Sequence, residues 1–190
     1  MTIGVWGDSI AYGACDEEGL GWVGRLRKAF YSPEEHDEVY NRGVSGDTTE
    51  DLIKRFATEL ESIRPDRIVI AIGTNDSRYK TGKNEPEVPP ERFAANLEII
   101  LDQAKTVSSE VVLIGPTRVN EDLPRGSGTC FVNENIQKYG EILSDVAKKH
   151  SRLYVSLFNA LDAKTDLADG LHPNARGYEK MCEVIKSSLA

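Results

Sequence analysis

The chain has 190 residues, with 31 acidic against 23 basic side chains and a formal net charge of −8. That balance excludes attraction to polyphosphate through a clustered basic face, so neither nucleic acid nor an anionic membrane surface is an expected partner. Hydrophobic residues at 39% and charged residues at 28% place it among globular chains, and the length suits one domain over residues 1–190.

Met1-Thr2-Ile3-Gly4-Val5 reads directly into a strand, without the basic stretch and apolar core of a secretory signal, so the cytoplasm is the expected location. Ile3 to Trp6 is the first predicted strand. A helix follows from Leu20 to Phe30, with Leu20, Val23, Leu26, Ala29 and Phe30 on one stripe. After the charged run Glu34 to Glu38, the second strand covers Val39 to Asn41. A Thr48-Thr49 cap then opens a helix whose Leu52, Phe56, Ala57, Leu60 and Ile63 share a face. Arg67 to Ile72 and Val111 to Gly115, the third and fourth strands, are apolar almost throughout, as parallel strands covered on both faces should be. Their apolar stretches fall far short of the ~20 residues that span a bilayer. Between them a helix runs from Pro90 to Val107, with proline in its first turn. Another helix, Val132 to Lys149, aligns Ile136, Tyr139, Leu143, Val146 and Ala147. The fifth strand is Leu153 to Ser156 and the last helix Ala175 to Leu189.

Strands alternating with helices predict a doubly wound α/β sandwich on a five-stranded parallel sheet, because parallel strands need a crossover between them. Two long irregular stretches interrupt the alternation, Ser77 to Pro89 and Pro116 to Thr129. Both should lie beyond the carboxyl ends of their strands, where open α/β sheets bind ligands. Cys15, Cys130 and Cys182 are odd in number and match no metal or disulfide spacing, so reduced thiols without a function are expected.

Four short segments carry the chemistry. Gly7-Asp8-Ser9-Ile10 places Ser9 where the first strand turns toward a helix, a position that suits a nucleophile whose own amide helps to hold an oxyanion. Asp169-Gly170-Leu171-His172-Pro173 can deliver a base and the carboxylate that fixes its tautomer from one loop. His36 sits in a solvated charged run and His150 ends a helix, where a cation suits the macrodipole; only His172 has the context of a base. Asn41-Arg42-Gly43-Val44-Ser45-Gly46-Asp47-Thr48 and Gly73-Thr74-Asn75-Asp76 end the second and third strands. An amide such as Asn75 and a glycine N–H are oxyanion donors that need no charge. Each segment alone reads as a turn or a helix cap. Together they supply one complete acyl-transfer set on the same edge of a parallel sheet.

These blocks resemble, in order and in spread over nearly the whole chain, those of the GDSL, or SGNH, hydrolases. The resemblance implies a flavodoxin-like three-layer α/β/α sandwich and ester hydrolysis without a metal or organic cofactor. Carried over, it makes Ser9 the nucleophile, His172 the base and Asp169 its orienter, with Ser9 N–H, Gly46 N–H and the Asn75 amide as the oxyanion hole. Two departures stand out: Ile10 replaces the eponymous leucine, and Gly43 competes with Gly46 as the second block's donor.

The expected substrate is a small-molecule ester. Arg78, Tyr79, Lys80, Lys83, Glu85 and Glu87 in one long loop, and Arg118, Asn120, Glu121, Asp122 and Arg125 in the other, leave little apolar surface beyond Val119 and Leu123. A long acyl chain would want an apolar channel, so the expectation is a short acyl ester, such as acetyl, of a polar or sugar-like alcohol. The family resemblance also covers lysophospholipases and acyl thioesterases. A flavodoxin-like module that holds a phosphate or sugar without turning it over is the alternative from another class, although no phosphate-loop lysine or dinucleotide fingerprint is present.

Overall fold

The computed structural model describes residues 1–31, 34, 37–80, 82–123 and 128–189. His36 and Arg125 lie outside the described residues. Five strands form the central sheet: β1 (Thr2–Gly7), β2 (Glu38–Gly43), β3 (Arg67–Ala71), β5 (Glu110–Ile114) and β7 (Leu153–Val155). All pair in parallel, in the order β2-β1-β3-β5-β7. The fold is thus the α/β sandwich expected from the alternation.

Side chains alternate across the sheet and so build two cores. On one face Ile3, Val5, Val69, Val112 and Ile114 meet α2 (Gly21–Phe30) and α6 (Ala175–Leu189) through Trp22, Leu26, Tyr178, Met181 and Ile185. On the other, Trp6, Ile68, Ile70, Val111 and Leu113 meet α3 (Thr49–Ile63), α4 (Pro90–Ala104) and α5 (Asn133–Lys149) through Phe56, Phe93, Leu97 and Tyr139. Each of these large side chains, taken fully out of water, contributes about 1.5–3 kcal/mol before the entropy of ordering it. The sheet strands therefore read as apolar runs because both of their faces are covered.

Local chemistry sets the element ends. The Asp51 carboxylate reaches back to the Thr48 N–H at 3.2 Å and its hydroxyl at 2.8 Å, closing the start of α3. At the other end Arg64 takes a left-handed φ of 47° and donates its N–H to Leu60. Helix α4 stops at Ala104, three residues before the predicted Val107, because Thr106 and Val107 leave the helix through tighter turn bonds to Gln103 and Ala104. Thr, Val and Ser are weak helix formers, which favours ending the helix there.

Two further elements gave no periodic signal. A single turn, α1 (Ser9–Tyr12), follows β1 at once, capped by Asp8, whose carboxylate accepts the Ile10 N–H at 2.9 Å. The two long loops also meet in a two-residue antiparallel ribbon, β4 (Tyr79–Lys80) with β6 (Thr129–Cys130). No helix among the described residues is long and apolar enough to cross a membrane.

The strand order positions the site. From β1 the chain steps to one side for β2, then returns to the other side for β3, so the crossovers diverge between β1 and β3. Loops leaving that switch point open a crevice at the carboxyl edge. Ser9 follows β1 and Asn75 follows β3.

Candidate functional site

Ser9 begins α1, and its side chain is nearly covered, with 8% of the residue exposed. Gly7 makes the turn possible: a Cβ there would stand 2.2 Å from the Ala71 carbonyl oxygen and 2.8 Å from the Ala11 side chain. The His172 loop crosses from the far end of the chain to meet it, with His172 Nε2 2.9 Å from Ser9 Oγ. On the other side of the ring, Nδ1 lies 2.8 Å from Asp169 Oδ2.

Asp169 is fixed by its own loop. Its Oδ1 accepts the backbone N–H groups of Leu171 at 2.9 Å and His172 at 2.8 Å, with Gly170 turning the chain at a φ of 82°. Burial alone would raise this carboxyl, but those backbone bonds and the imidazole together draw it down to about 2. It is therefore ionised across the neutral range, beside the ring nitrogen that faces it. A hydroxyl, an imidazole and a carboxylate in this sequence can pass a proton from oxygen to ring while the charge that forms is held by the carboxylate.

Asn75 lies at the end of β3, 4% exposed. Its Nδ2 donates to the Asp47 carbonyl at 3.0 Å, and its Oδ1 accepts from Arg78 Nη1 at 2.9 Å. A guanidinium only donates and a carbonyl only accepts, so the orientation of the amide is determined, and one of its two N–H groups remains to serve a ligand. Arg78 is held in turn by Glu87, which also pairs with Lys80.

The two glycines of the second block differ. Gly43 N–H donates to Asn41 Oδ1 at 2.9 Å, and a Cβ on Gly43 would stand 2.3 Å from the Tyr12 backbone nitrogen. Its lack of a side chain lets β2 approach α1. Gly46 has a φ of 89° and open space around its Cα, and no backbone partner engages its N–H among the described residues. Of the two, Gly46 is the N–H that a ligand can reach.

Several supporting residues escaped the sequence reading because their motifs look like ordinary turns. Arg55 on α3 ties the Asp47 carboxylate at 2.8 Å, Glu59 at 2.7 Å and the Gly7 carbonyl at 3.3 Å, so one guanidinium joins the ends of β1 and the second block. Asp76 accepts the backbone N–H of Thr49 at 2.9 Å along with its hydroxyl, which docks the third block on the start of α3. Burial, together with nearby Glu87, outweighs those bonds and holds Asp76 up at about 6. Asp8 is also buried, and burial, with Asp76 and Asp47 close by, pushes it up to about 7. An i, i+3 spacing such as Thr48 to Asp51 can be read from sequence; a pairing across 27 residues cannot.

Elsewhere, His150 lies against Glu98, with 2.6 Å between Nε2 and Oε2, far from the Ser9 crevice in the fold. The loop charges largely satisfy one another or the scaffold. Arg118 lies over the Phe158 ring at 5.0 Å and donates to the Phe158 carbonyl and to Asn159, while Glu121 accepts from Asn133 at the start of α5. Cys15 and Cys130 are exposed and Cys182 is buried, all as free thiols. Burial and the charge of Asp169 push the Cys15 thiol up, which leaves it protonated and a poor rival to Ser9.

Ser9, His172 and Asp169, joined at the carboxyl edge of a parallel α/β sandwich, have the geometry that acyl transfer requires. Residues 5–180 match the model of the GDSL-like Lipase/Acylhydrolase family, and the chain belongs to that family, as a carboxylic ester hydrolase. Among its relatives is a multidomain esterase of Ruminococcus flavefaciens, 29% identical over 92% of this chain. That alignment takes up 26% of the relative, so this chain spans about a quarter of the longer protein. An acetylxylan esterase of Geobacillus stearothermophilus is 25% identical over 90% of this chain and 75% of its own length. The crystal structure of a lipase/acylhydrolase from Enterococcus faecalis superimposes with a TM-score of 0.80 at 26% identity, covering 99% of this chain and 94% of that one.

Proposed function

We propose that residues 1–190 form one catalytic domain that hydrolyses short acyl esters, acetyl foremost, of a polar or sugar-like alcohol through an acyl-enzyme on Ser9. The observation that carries the reading is the unbroken path Ser9 Oγ, His172 Nε2, His172 Nδ1, Asp169 Oδ2, with links of 2.9 and 2.8 Å, assembled from residues 163 positions apart.

In this mechanism His172 Nε2 takes the Ser9 proton as Oγ attacks the ester carbonyl. Asp169 keeps the Nδ1 proton in place and stabilises the imidazolium. Negative charge on the former carbonyl oxygen is met by the Ser9 N–H, the Gly46 N–H and the free Asn75 N–H, none of which has to reorganise. Collapse of the tetrahedral species breaks the ester C–O bond, and the imidazolium returns its proton to the departing alcohol. Water then attacks the acyl carbonyl with its proton passing to His172, releasing the carboxylic acid and restoring Ser9.

Support for a short acyl group comes from two directions. The relative from Geobacillus stearothermophilus acts on an acetyl ester of a polysaccharide by its printed name. In this chain, the segments flanking the crevice are tied up in polar contacts, Arg78 with Glu87 and Arg118 with Asn159, where a long acyl chain would need an apolar channel. Free thiols at all three cysteines fit a reducing compartment such as the cytoplasm.

A chain-length series of nitrophenyl esters on the wild type and on Ser9→Ala tests both parts. Acetate should be preferred to decanoate by the wild type, and the variant should be inert towards every ester. Preference for decanoate would overturn the acyl assignment; activity surviving in Ser9→Ala would overturn the nucleophile.

A further inference from the structure

One thiol stands beside the proposed base. A ring nitrogen of His172, a carboxylate oxygen of Asp169 and Sγ of Cys15 all lie within 4.8 Å of one another. The mechanism above uses the first two and leaves the thiol idle.

The turn that carries Cys15 is pinned on both sides. Before it, the Ala14 N–H donates to the Ser9 carbonyl at 3.0 Å, and the Ala14 carbonyl accepts the Tyr178 hydroxyl at 2.7 Å. After it, the covered Asp16 carboxylate is paired with Arg25 and accepts the N–H groups of Leu20 and Gly21 at 3.1 and 2.7 Å. Asp169 is held by the two backbone N–H groups of its own loop. The three side chains therefore project from backbone fixed independently of any ion, the condition under which a site binds without first ordering its loops.

Sulfur, imidazole nitrogen and one carboxylate oxygen are the donor set of a borderline-soft divalent cation, Zn²⁺ above all, rather than of Mg²⁺ or Ca²⁺, which take oxygen. Cys15 and Asp169 are both exposed, which leaves solvent free to fill a fourth, tetrahedral position. The surroundings favour a cation, with Glu17 in the same turn and a net charge of −8 overall.

We propose that Cys15, Asp169 and His172 form an inhibitory Zn²⁺ site that switches off the hydrolase by occupying its base. Binding forms a Zn–S bond as the Cys15 Sγ–H proton leaves to solvent, and it forms one Zn–N bond to His172 and one Zn–O bond to Asp169. The metal takes Nδ1, the nitrogen that faces Asp169, so the imidazole loses its hydrogen bond to Asp169 and the ring carries a cation that opposes protonation at Nε2. The binding site stands on geometry alone, whereas its inhibitory effect rests on the function proposed above.

The test separates the two. Co²⁺ substitutes for Zn²⁺ and, on a thiolate, gives a near-ultraviolet charge-transfer band that needs no catalysis. That band should appear in the wild type, in Cys130→Ser and in Ser9→Ala, and be absent from Cys15→Ser. In parallel, Zn²⁺ should inhibit acetate-ester hydrolysis by the wild type and by Cys130→Ser, with full recovery on chelation. In Cys15→Ser, measured against its own metal-free rate, half-inhibition should need about tenfold more Zn²⁺ or beyond. No thiolate band in the wild type, or equal Zn²⁺ sensitivity in Cys15→Ser, would overturn the site. Failure of the Ser9 assignment would show differently, as hydrolysis by Ser9→Ala with the band unchanged.

Discussion

At the level of single residues, the proposed mechanism leans most, after the Ser9–His172–Asp169 path, on the Asn75 amide. Its two fixed contacts, to the Asp47 carbonyl and to Arg78, leave one N–H whose direction is set before any substrate arrives. Removing it with Asn75→Ala should lower kcat about 10²-fold, the usual effect of losing one oxyanion donor, with KM for an acetate ester changed far less. Steady-state kinetics on the purified variant check this; a loss confined to KM would mean that the amide binds the ground state instead. Sequence reading could name Asn75 as a candidate because an amide donates without charge and the Gly73-Thr74-Asn75-Asp76 block resembles one of the family's. Arg78 it could only place in a charged loop, since its partner Glu87 is nine positions away and nothing periodic links them. The choice between Gly43 and Gly46 was likewise closed to sequence: both are glycines in a turn, and only the approach of Tyr12 and the Asn41 bond tell them apart.

Among the elements, α1 matters most, although it is a single turn. It presents Ser9, and its seat depends on β2 coming close enough for Gly43 to touch the backbone of Tyr12. Asn41 Nδ2 strengthens the same contact by donating to the Ala11 carbonyl at 2.9 Å. A methyl group at position 43 would overlap the Tyr12 nitrogen at 2.3 Å, and main-chain atoms cannot swing aside as a side chain can. Gly43→Ala should therefore cost about 1–3 kcal/mol of stability and displace Ser9 from His172. Thermal unfolding would show the first effect and slower fluorophosphonate labelling the second; a variant that labels at the wild-type rate would contradict the role given to this contact. Long amphipathic helices such as α6 were legible at their exact ends, because Asn174-Ala175 starts and Leu189 finishes a full stripe. By contrast α1, and the ribbon of Tyr79–Lys80 with Thr129–Cys130, are shorter than one period of any pattern. They exist through tertiary contact.

Over the whole molecule, the crevice is built on buried carboxylates that the fold keeps partly protonated. Asp8 is pushed up to about 7 and Asp76 to about 6 from an ordinary 3.8, in both cases chiefly by burial. Between pH 4 and 7 the folded chain holds protons that the unfolded chain has released, so these two groups make stability fall as pH rises through that window. Asp169 acts in the opposite sense, since its carboxyl is drawn down to about 2 and its contribution is lost only in stronger acid. Asp8→Asn keeps an oxygen for the Ile10 N–H and removes the titration. It should flatten the decline in unfolding free energy between pH 4 and 7, by at most about 4 kcal/mol, in denaturant titrations at several pH values. A wild-type decline that persists undiminished in the variant would assign the effect to other groups. The general plan of five parallel strands between two helical layers was readable from the alternation of apolar runs and stripes, because burial on both sheet faces writes itself into composition. What places an imidazole near the C-terminus against a hydroxyl near the N-terminus is the return of the loop after β7, an edge strand away from β1, to seat α6 beside α2, and no local pattern encodes that. The most direct test of that meeting is to treat the protein with a fluorophosphonate probe and find the adduct by peptide mass spectrometry. One adduct on Ser9 is expected, absent in Ser9→Ala and strongly slowed in His172→Ala; an unlabelled wild type, or an adduct on another residue, would contradict it.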